Sequence, residues 1–285
     1  MGGADLHVHT TTSDGLLTAA EVVREAQAGE LTAIAITDHD TTAGIDQALE
    51  AADGVDLEVI PGIELSAELD TEEVHILGYY LNHRDGALQE KLDVLRRARW
   101  ERARKMVEKL ARLGISVSWE RVVEIAGESR AFGRPHIAHA LLEGRHVATT
   151  NEAFDLYIGL GGPAYVSRYK LTFLDAFEII LAVGGLPVLA HPRGQERLVH
   201  ELVMAGLVGL EAYYPGYTVE ESEGLVRLAA QHDLIPTGGS DFHGHGGSGA
   251  GAVGDVRAPR ESVERLQSLA SGHAGEVASP REQTG

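Results

Sequence analysis

The chain has 285 residues, of which 44% are hydrophobic and 24% are charged, and these values are typical of a folded globular protein rather than a disordered one. It contains no cysteine, which excludes disulfides and thiolate metal sites, and no apolar run reaches the roughly 18 residues of a membrane helix. The first residues lack the basic and apolar regions of a secretory signal, so we expect a cytoplasmic protein.

The net charge of −19 is unevenly distributed along the chain. Residues 82–170 carry a net charge of +5, whereas the rest of the chain carries −24. An acidic body with a basic middle segment is not typical of a general DNA-binding protein, and an aromatic content of 5% argues against base-stacking platforms for single strands. The basic segment is either a solvated helical surface or a place where a small anion binds, and charge alone leaves both open.

Strand and helix patterns alternate over the first eighty residues. In the first predicted strand, Asp5, His7 and His9 share one face by the period of two. Thr18 and Glu21 form a capping box that begins a helix, which ends at Gly29. This alternation favours an α/β sheet or barrel. Strands are predicted at 4–10, 31–37, 57–60, 63–67 and 74–81, with a turn at Pro61-Gly62, and helices at 18–27 and 45–52.

The alternation stops at Asn82 and returns at Thr172, so residues 82–170 are predicted to be a helical insertion between two barrel segments, 1–81 and 171–273. The glycine-rich stretch 244–254 lacks the strand-then-helix context of a phosphate-binding loop and is interpreted as a mobile loop. Residues 274–285 are predicted to be a disordered tail. Insertion helices are predicted at 86–112, 119–126, 135–142 and 152–158, and the later elements are helices 172–183, 196–204 and 218–232 and strands 186–190, 208–212 and 234–237.

Histidine and acidic residues collect at the ends of the predicted strands. The carboxyl ends of strands in barrel-like α/β proteins converge on one site, and imidazole with carboxylate ligands suits Mn, Fe(II) or Zn. A single His-x-His pair is weak evidence, but coincidence at six strand ends predicts two or three divalent metal ions. The candidate ligands are His7, His9, Asp14, His39, Glu64, His75, His191, Asp241 and His243.

The order of these motifs resembles the polymerase and histidinol phosphatase (PHP) superfamily, over residues 4–81 and 171–256. The motifs are His7-Val8-His9 with Asp14, Thr37-Asp38-His39, Pro61-Gly62-Ile63-Glu64, His75, Ala190-His191-Pro192 and Ser240-Asp241-Phe242-His243. The resemblance implies a metal-dependent phosphoesterase on a distorted (β/α)7 barrel, an α/β fold. Within the insertion, Gly133-Arg134-Pro135-His136 and Gly161-Gly162-Pro163-Ala164-Tyr165-Val166 resemble the branch of nucleoside 3′,5′-bisphosphate phosphatases and 5′–3′ exoribonucleases.

The resemblance also implies how the ligands are shared among three metal sites. One site would use His7, His9, Glu64 and Asp241, a second Glu64, His75 and His191, and a third Asp14, His39 and His243. Glu64 would bridge two ions, and the candidate catalytic residues are Asp38, His39, Glu64 and Asp241. Asp38, beside His39, would orient a ligand, handle protons or act as a hydrogen-bond partner, and we favour the last.

Binding of a substrate phosphate needs donors besides the metals. Arg134 is the first candidate, because a guanidinium binds phosphate through two parallel hydrogen bonds; a surface salt bridge is the alternative. His136 and Arg193 are further candidates, while Arg168 and Lys170 are more readily explained as surface residues. The arginine run is predicted to be a solvated helix face: Arg96, Arg97, Arg99, Arg102 and Arg104.

These observations favour a phosphatase that converts a nucleoside 3′,5′-bisphosphate to the 5′-monophosphate with a hydroxide generated on a metal ion. A 5′–3′ exoribonuclease on short RNA is the second hypothesis, although an acidic body disfavours long RNA. Histidinol phosphate phosphatase is the third, and a non-catalytic metal-bound interaction domain is the fourth. A small phosphorylated nucleotide or short RNA is therefore the expected partner, no membrane is expected, and the oligomeric state is left open.

Overall fold

The computed structural model describes residues 2–69, 72–127, 132–244 and 251–277. Seven strands form one sheet in which each strand neighbours the next along the chain. A bridge between Val8 and Phe242 brings the first and last strands together, so the sheet is nearly closed into the predicted barrel. The strands are β1 Ala4–Val8, β2 Ala33–Ile36, β3 Glu58–Leu69, β4 Glu72–Tyr79, β5 Leu186–Leu189, β6 Gly209–Tyr213 and β7 Ile235–Gly238.

Strand direction distinguishes this barrel from a fully parallel one. β1, β2 and β3 pair in parallel, as do β5, β6 and β7, but β4 runs antiparallel to both β3 and β5. The beginning of β4 therefore lies at the same end of the barrel as the carboxyl ends of its neighbours. This reversal is the distortion of the barrel, and it determines where His75 lies.

β3 is longer than the sequence analysis predicts, because Pro61 and Gly62 do not form a turn. β3 pairs with β2 up to Pro61 and with β4 from Gly62 onward, so the Pro-Gly pair marks a change of partner within one continuous strand. A side chain at Gly62 would meet the carbonyl oxygen of Ile36 at 2.8 Å, and glycine permits this close approach. The predicted turn is wrong.

Helices surround the barrel and build the segment 82–170. The sequence analysis does not predict the last helix, α10 Arg260–Val277, although Val263 and Leu266 are buried at helical spacing. It includes residues 274–277 of the predicted disordered tail, which is wrong for those four; residues 278–285, and 245–250 of the predicted mobile loop, lie outside the described residues. The helices are α1 Ala19–Ala28, α2 Ile45–Ala51, α3 Gly86–Arg112, α4 Trp119–Ala126, α5 Arg134–Glu143, α6 Thr150–Ala153 with a π-helical turn Phe154–Ile158, α7 Phe173–Ala182, a 3-10 turn Glu196–Leu198, α8 Val199–Met204, α9 Val219–Gln231 and α10 Arg260–Val277. None of the described helices is long and apolar enough to cross a membrane.

α3 joins two hydrophobic cores. Its first half buries Leu88, Leu92 and Leu95 in a cluster with barrel residues such as Ile63. Its second half buries Met106 and Leu110 in a separate cluster formed entirely by residues between 103 and 166. The turns of α3 between these two clusters lie at the seam between barrel and insertion, and they carry Arg99 and Arg102.

Candidate metal centre and substrate pocket

β1 and the loop that follows it supply the first candidate ligands. His7 and His9 lie on one face of the strand pattern, as predicted, and both are fully buried. Their Nε2 atoms are 3.1 Å apart, and both lie near Asp241 Oδ1, at 3.2 and 3.1 Å respectively. Asp14 Oδ1 lies 3.5 Å from His243 Nε2. The two ends of the barrel sequence therefore meet at one point.

The nine candidate ligands all gather at this mouth of the barrel. Within each of three groups, the potential ligand atoms lie within 4.8 Å of one another. The groups resemble the three implied sites, but His9 joins both the group of Asp14 and the group of His7, and Glu64 groups only with His75 and His191. The groups are His9, Asp14, His39 and His243; His7, His9 and Asp241; and Glu64, His75 and His191.

Glu64 lies at the centre of this cluster. Its carboxylate lies 2.7 Å from His75 Nδ1, 2.9 Å from His39 Nδ1 and 3.3 to 3.5 Å from ring nitrogens of His9, His191 and His7. Burial opposes its ionisation, but the neighbouring imidazoles of His39, His75 and His7 outweigh burial and hold the pKa of Glu64 well below its usual value. The carboxylate is therefore charged where the imidazoles converge.

Unpartnered atoms in the cluster test whether these residues fit divalent ions. His9 Nδ1, His39 Nδ1, Asp14 Oδ1 and Glu64 Oε2 are buried and lack a hydrogen-bond partner among the described residues. The 2.9 Å approach of His39 Nδ1 to Glu64 Oε2 does not have hydrogen-bonding orientation. Buried polar atoms without partners are costly, and an imidazole and carboxylate donor set is suited to Zn, Mn or Fe(II). The residues therefore fit divalent metal ions.

Two candidate ligands occupy strained backbone positions. His191 has φ of 29° and Asp241 has φ of 48°, a region that non-glycine residues enter at a cost of about 1–3 kcal/mol. Glu211 supports one of them: it accepts a hydrogen bond from His191 N at 2.8 Å and its other oxygen lies 3.1 Å from His7 Nδ1. Tyr214 supports the other by donating to Asp241 Oδ2 at 2.6 Å.

Glu211 and Tyr214 are absent from the sequence-based candidates. The signal for Glu211 is a charged residue inside the apolar strand β6, where it is fully buried and therefore needs partners. Nothing in the sequence distinguishes Tyr214 from its neighbour Tyr213, because only the fold shows which ring lines the pocket.

Asp38 does not line the pocket, and its carboxylate is a hydrogen-bond partner, the role that the sequence analysis favours over a catalytic one. It is fully buried and accepts hydrogen bonds from Thr10 N at 2.8 Å, Thr10 Oγ1 at 2.7 Å, Thr12 Oγ1 at 2.9 Å and Ser13 Oγ at 2.5 Å. These donors occupy both of its oxygens. Asp38 therefore fixes the loop after β1, which carries Asp14, rather than contacting His39.

A pocket of about 290 Å³ separates the candidate ligands from the insertion. Arg134 lines it, as predicted, and so does Arg168. Arg99 and Arg102 also line it, so their predicted place on a solvated face is wrong, whereas Arg97 and Arg104 are exposed as expected. The reason is the seam on α3, which turns these two arginines toward the barrel.

The four pocket arginines differ in their partners. Arg99 pairs with Asp40, and Arg168 pairs with Glu73 at 2.7 Å. Arg102 donates to the carbonyl of Val166 at 2.7 Å, and the Arg134 guanidinium lies 5.4 Å from the centre of the Phe154 ring. Neither of these two has a carboxylate partner within the described ranges. Burial, then the charges of Arg168 and Arg134, lower the pKa of Arg102 to about 10, so it stays protonated at neutral pH and the pocket favours an anion.

His136 and Arg193 do not line the pocket. His136 Nδ1 accepts a hydrogen bond from Gly133 N at 3.1 Å, which leaves the ring buried behind the pocket wall. Arg193 stacks on Tyr217 at 4.7 Å and donates to the Gly216 carbonyl at 3.3 Å. These contacts hold Arg193 on the outside of the barrel, although it follows the candidate ligand His191 by only two residues.

Gly239 offers a test of the centre that alters no candidate ligand. A Cβ at this position would overlap His7 N, would lie 2.6 Å from His7 Cβ and 2.8 Å from Asp5 Oδ1. Gly239→Ala is therefore expected to displace His7, to lower metal content and to cost about 1–3 kcal/mol of unfolding free energy. Metal analysis measures the metal content, and thermal unfolding measures the loss of stability. Gly86→Ala, whose Cβ would meet nothing within 4 Å, is the control, and equal metal content in both variants would contradict the expectation.

Comparison with known proteins adds to this geometry. Residues 5–160 match the PHP domain family. A 3′,5′-nucleoside bisphosphate phosphatase from Chromobacterium violaceum is 33% identical over 265 residues, which are 90% of this chain and 93% of the relative. The 5′-3′ exoribonuclease Rnm of Salmonella typhimurium is 35% identical over 248 residues, 84% of each chain. A crystal structure from Bifidobacterium adolescentis, provisionally described as a metal-dependent phosphoesterase, superposes with a TM-score of 0.86 at 31% identity, covering 94% of this chain and 96% of the other.

Proposed function

Since this chain belongs to the PHP domain family and is a metal-dependent hydrolase, we propose that its substrate is a nucleoside 3′,5′-bisphosphate, which it hydrolyses to the 5′-monophosphate. The observation that carries this proposal is the asymmetry of the pocket. Candidate metal ligands form one wall, and Arg102 and Arg134, without carboxylate partners among the described residues, belong to the other. A molecule with two separate phosphates matches both walls.

The residues divide the work of the proposed reaction. The three ligand groups would hold the divalent ions, proposed to be Mn, Fe or Zn, which when bound lower the pKa of water and neutralise charge on the reacting phosphate. Glu211 and Tyr214 keep His7, His191 and Asp241 in place through their hydrogen bonds. Arg102 and Arg134 bind the phosphate that does not react, and that binding energy positions the one that does.

The proposal is tested by comparing adenosine 3′,5′-bisphosphate with adenosine 3′-monophosphate, which keeps the phosphate that reacts and lacks the one that does not, under the same metal conditions. Loss of the contacts to this phosphate is expected to cost about 2–5 kcal/mol, which corresponds to a roughly 30- to 5000-fold lower kcat/KM for adenosine 3′-monophosphate. Chromatography of the product identifies which phosphate leaves. Equal rates on the two nucleotides would reject the bisphosphate, and a preference for histidinol phosphate would replace it. Turnover that persists after complete chelation would contradict metal dependence.

A second candidate activity, 5′–3′ hydrolysis of short RNA, is favoured by a groove beside the pocket. This groove has a volume of about 520 Å³ and shares Asp14, Pro135, Phe154 and His243 with the pocket, so it offers room for a further nucleotide. The acidic charge outside residues 82–170 disfavours a long polyanion. Release of mononucleotides from a 5′-phosphorylated oligoribonucleotide, faster than hydrolysis of the bisphosphate, would make this the main activity. A cytoplasmic location stays a prediction from the sequence.

A further inference from the structure

We propose that Glu73 is a positioning residue that orients the candidate ligand His75 and at the same time restrains the pocket arginine Arg168. One oxygen of Glu73, Oε1, lies 2.9 Å from His75 Nε2 and 2.7 Å from Arg168 Nη2. Glu73 thus contacts both walls of the pocket, which it also lines. This inference rests on the proposed function for its effect on substrate but not for its effect on metal.

The backbone of β4 holds Glu73 close to His75. It lies two residues before His75 on β4, so both side chains project from the same face of the strand. The side-chain amide of Gln195 donates a hydrogen bond to the Glu73 carbonyl at 2.7 Å. Gln195 lies in the loop after β5, four residues beyond His191. The carboxylate therefore has a fixed origin relative to both His75 and His191.

The first consequence concerns the two nitrogens of His75. Its Nδ1 lies 2.7 Å from Glu64 Oε1, on the side of the ligand group that includes His191. A carboxylate at Nε2 favours the tautomer with the proton on Nε2, which leaves the lone pair of Nδ1 directed into that group. Glu73 therefore presets His75 as a ligand through its Nδ1 atom.

The second consequence concerns charge in the pocket. Arg168 is 14% exposed at its side chain and lies close enough to Arg99 and Arg134 to feel their charges. Glu73 neutralises Arg168, which leaves Arg102 and Arg134 to act on the anion. Removing the charge of Glu73 would thus weaken the metal group but add a free positive charge for the substrate. These two effects have opposite signs.

Glu73→Gln in the full-length protein tests this directly. The amide oxygen still accepts a hydrogen bond but carries no charge, so the Kd for Mn²⁺ measured by calorimetry on apoprotein is expected to rise about 10- to 100-fold. At saturating Mn²⁺, KM for adenosine 3′,5′-bisphosphate is expected to fall, because Arg168 becomes free to bind the substrate. The value of kcat is expected to fall as well, because His75 loses the carboxylate that orients it. Glu73→Ala is expected to weaken Mn²⁺ binding further, because it removes the acceptor as well.

Glu72→Gln is the matched control, because Glu72 is the adjacent carboxylate on β4 and pairs outside the pocket with the exposed Arg197. The inference is overturned if the Kd for Mn²⁺ is the same in both glutamine variants. It is also overturned if Glu73→Gln raises both the Mn²⁺ Kd and KM while lowering the apoprotein unfolding temperature, since that pattern indicates a structural role. If the wild type does not prefer the bisphosphate, the proposed function fails, and the Mn²⁺ titration alone still decides for Glu73.

Discussion

Glu64→Gln is expected to lower kcat/KM by at least about 100-fold and to deplete the bound metal. The substitution preserves the size of the side chain but removes its negative charge at the point where imidazole groups converge. The pKa of Glu64 is held low by those imidazoles, so the wild-type carboxylate is charged throughout the neutral range and available to cations. The imidazoles within 3.5 Å of its oxygens are those of His7, His9, His39, His75 and His191.

The control for this variant is Glu68→Gln, on the same strand β3. Glu68 approaches only the exposed Lys170, at 3.6 Å, among the ion pairs of the described chain, so the same chemical change there should leave turnover near that of the wild type. Metal content by mass spectrometry and steady-state kinetics are measured on both. If Glu64→Gln retained its metal and its turnover within about threefold, the assignment of this cluster as the metal centre would be wrong.

Arg134→Ala is expected to weaken transition-state stabilisation for adenosine 3′,5′-bisphosphate by about 2–5 kcal/mol. This corresponds to a roughly 30- to 5000-fold lower kcat/KM, while metal content stays unchanged. The guanidinium lines the pocket, and the described residues offer it no carboxylate partner. Its loss leaves the remote phosphate without its main donor. Adenosine 3′-monophosphate lacks that phosphate, so its kcat/KM should change little, and the difference between the two substrates should nearly disappear.

Arg193→Ala is the control for Arg134→Ala, because it removes the same side chain outside the pocket, where Arg193 stacks on Tyr217. Arg134→Lys adds a second comparison, since lysine keeps the charge but lacks the planar fork of donors; it should recover part of the loss. A similar decrease for both nucleotides would assign Arg134 to packing against Phe154 instead.

Local sequence rules predicted most of the elements correctly. α3 begins and ends where its pattern predicts, and the capping box predicted at Thr18 is present. Capping boxes at Thr172 and Thr218 likewise begin two further predicted helices. The alternation in β1 correctly placed His7 and His9 on one face. These features depend on residues close together in the chain, and that is the range over which periodicity and capping act.

Features that depend on distant packing could not be predicted in the same way. An arginine-rich helix is ordinarily a solvated one, and nothing local shows that Arg99 and Arg102 lie between two cores. The carboxylate of Asp38 stands beside His39 in sequence, yet its hydrogen-bond partners are the threonines and serine after β1. Partners far away in the chain determine both outcomes.

His75 shows how strand direction affects such a prediction. The sequence analysis places it at the end of its strand, like the other candidate ligands, but it lies in the first half of β4. It still reaches the cluster because β4 runs against its neighbours. Residue spacing identified the ligand type, whereas only the sheet topology explains its position.

The seam between barrel and insertion separates the candidate metal ligands from the arginines of the pocket. All nine candidate metal ligands lie outside residues 82–170, and all four pocket arginines lie within them. Under the proposed function, substitutions within this one continuous stretch of the chain are expected to alter which phosphate ester binds, while the ligand groups on the barrel stay unchanged.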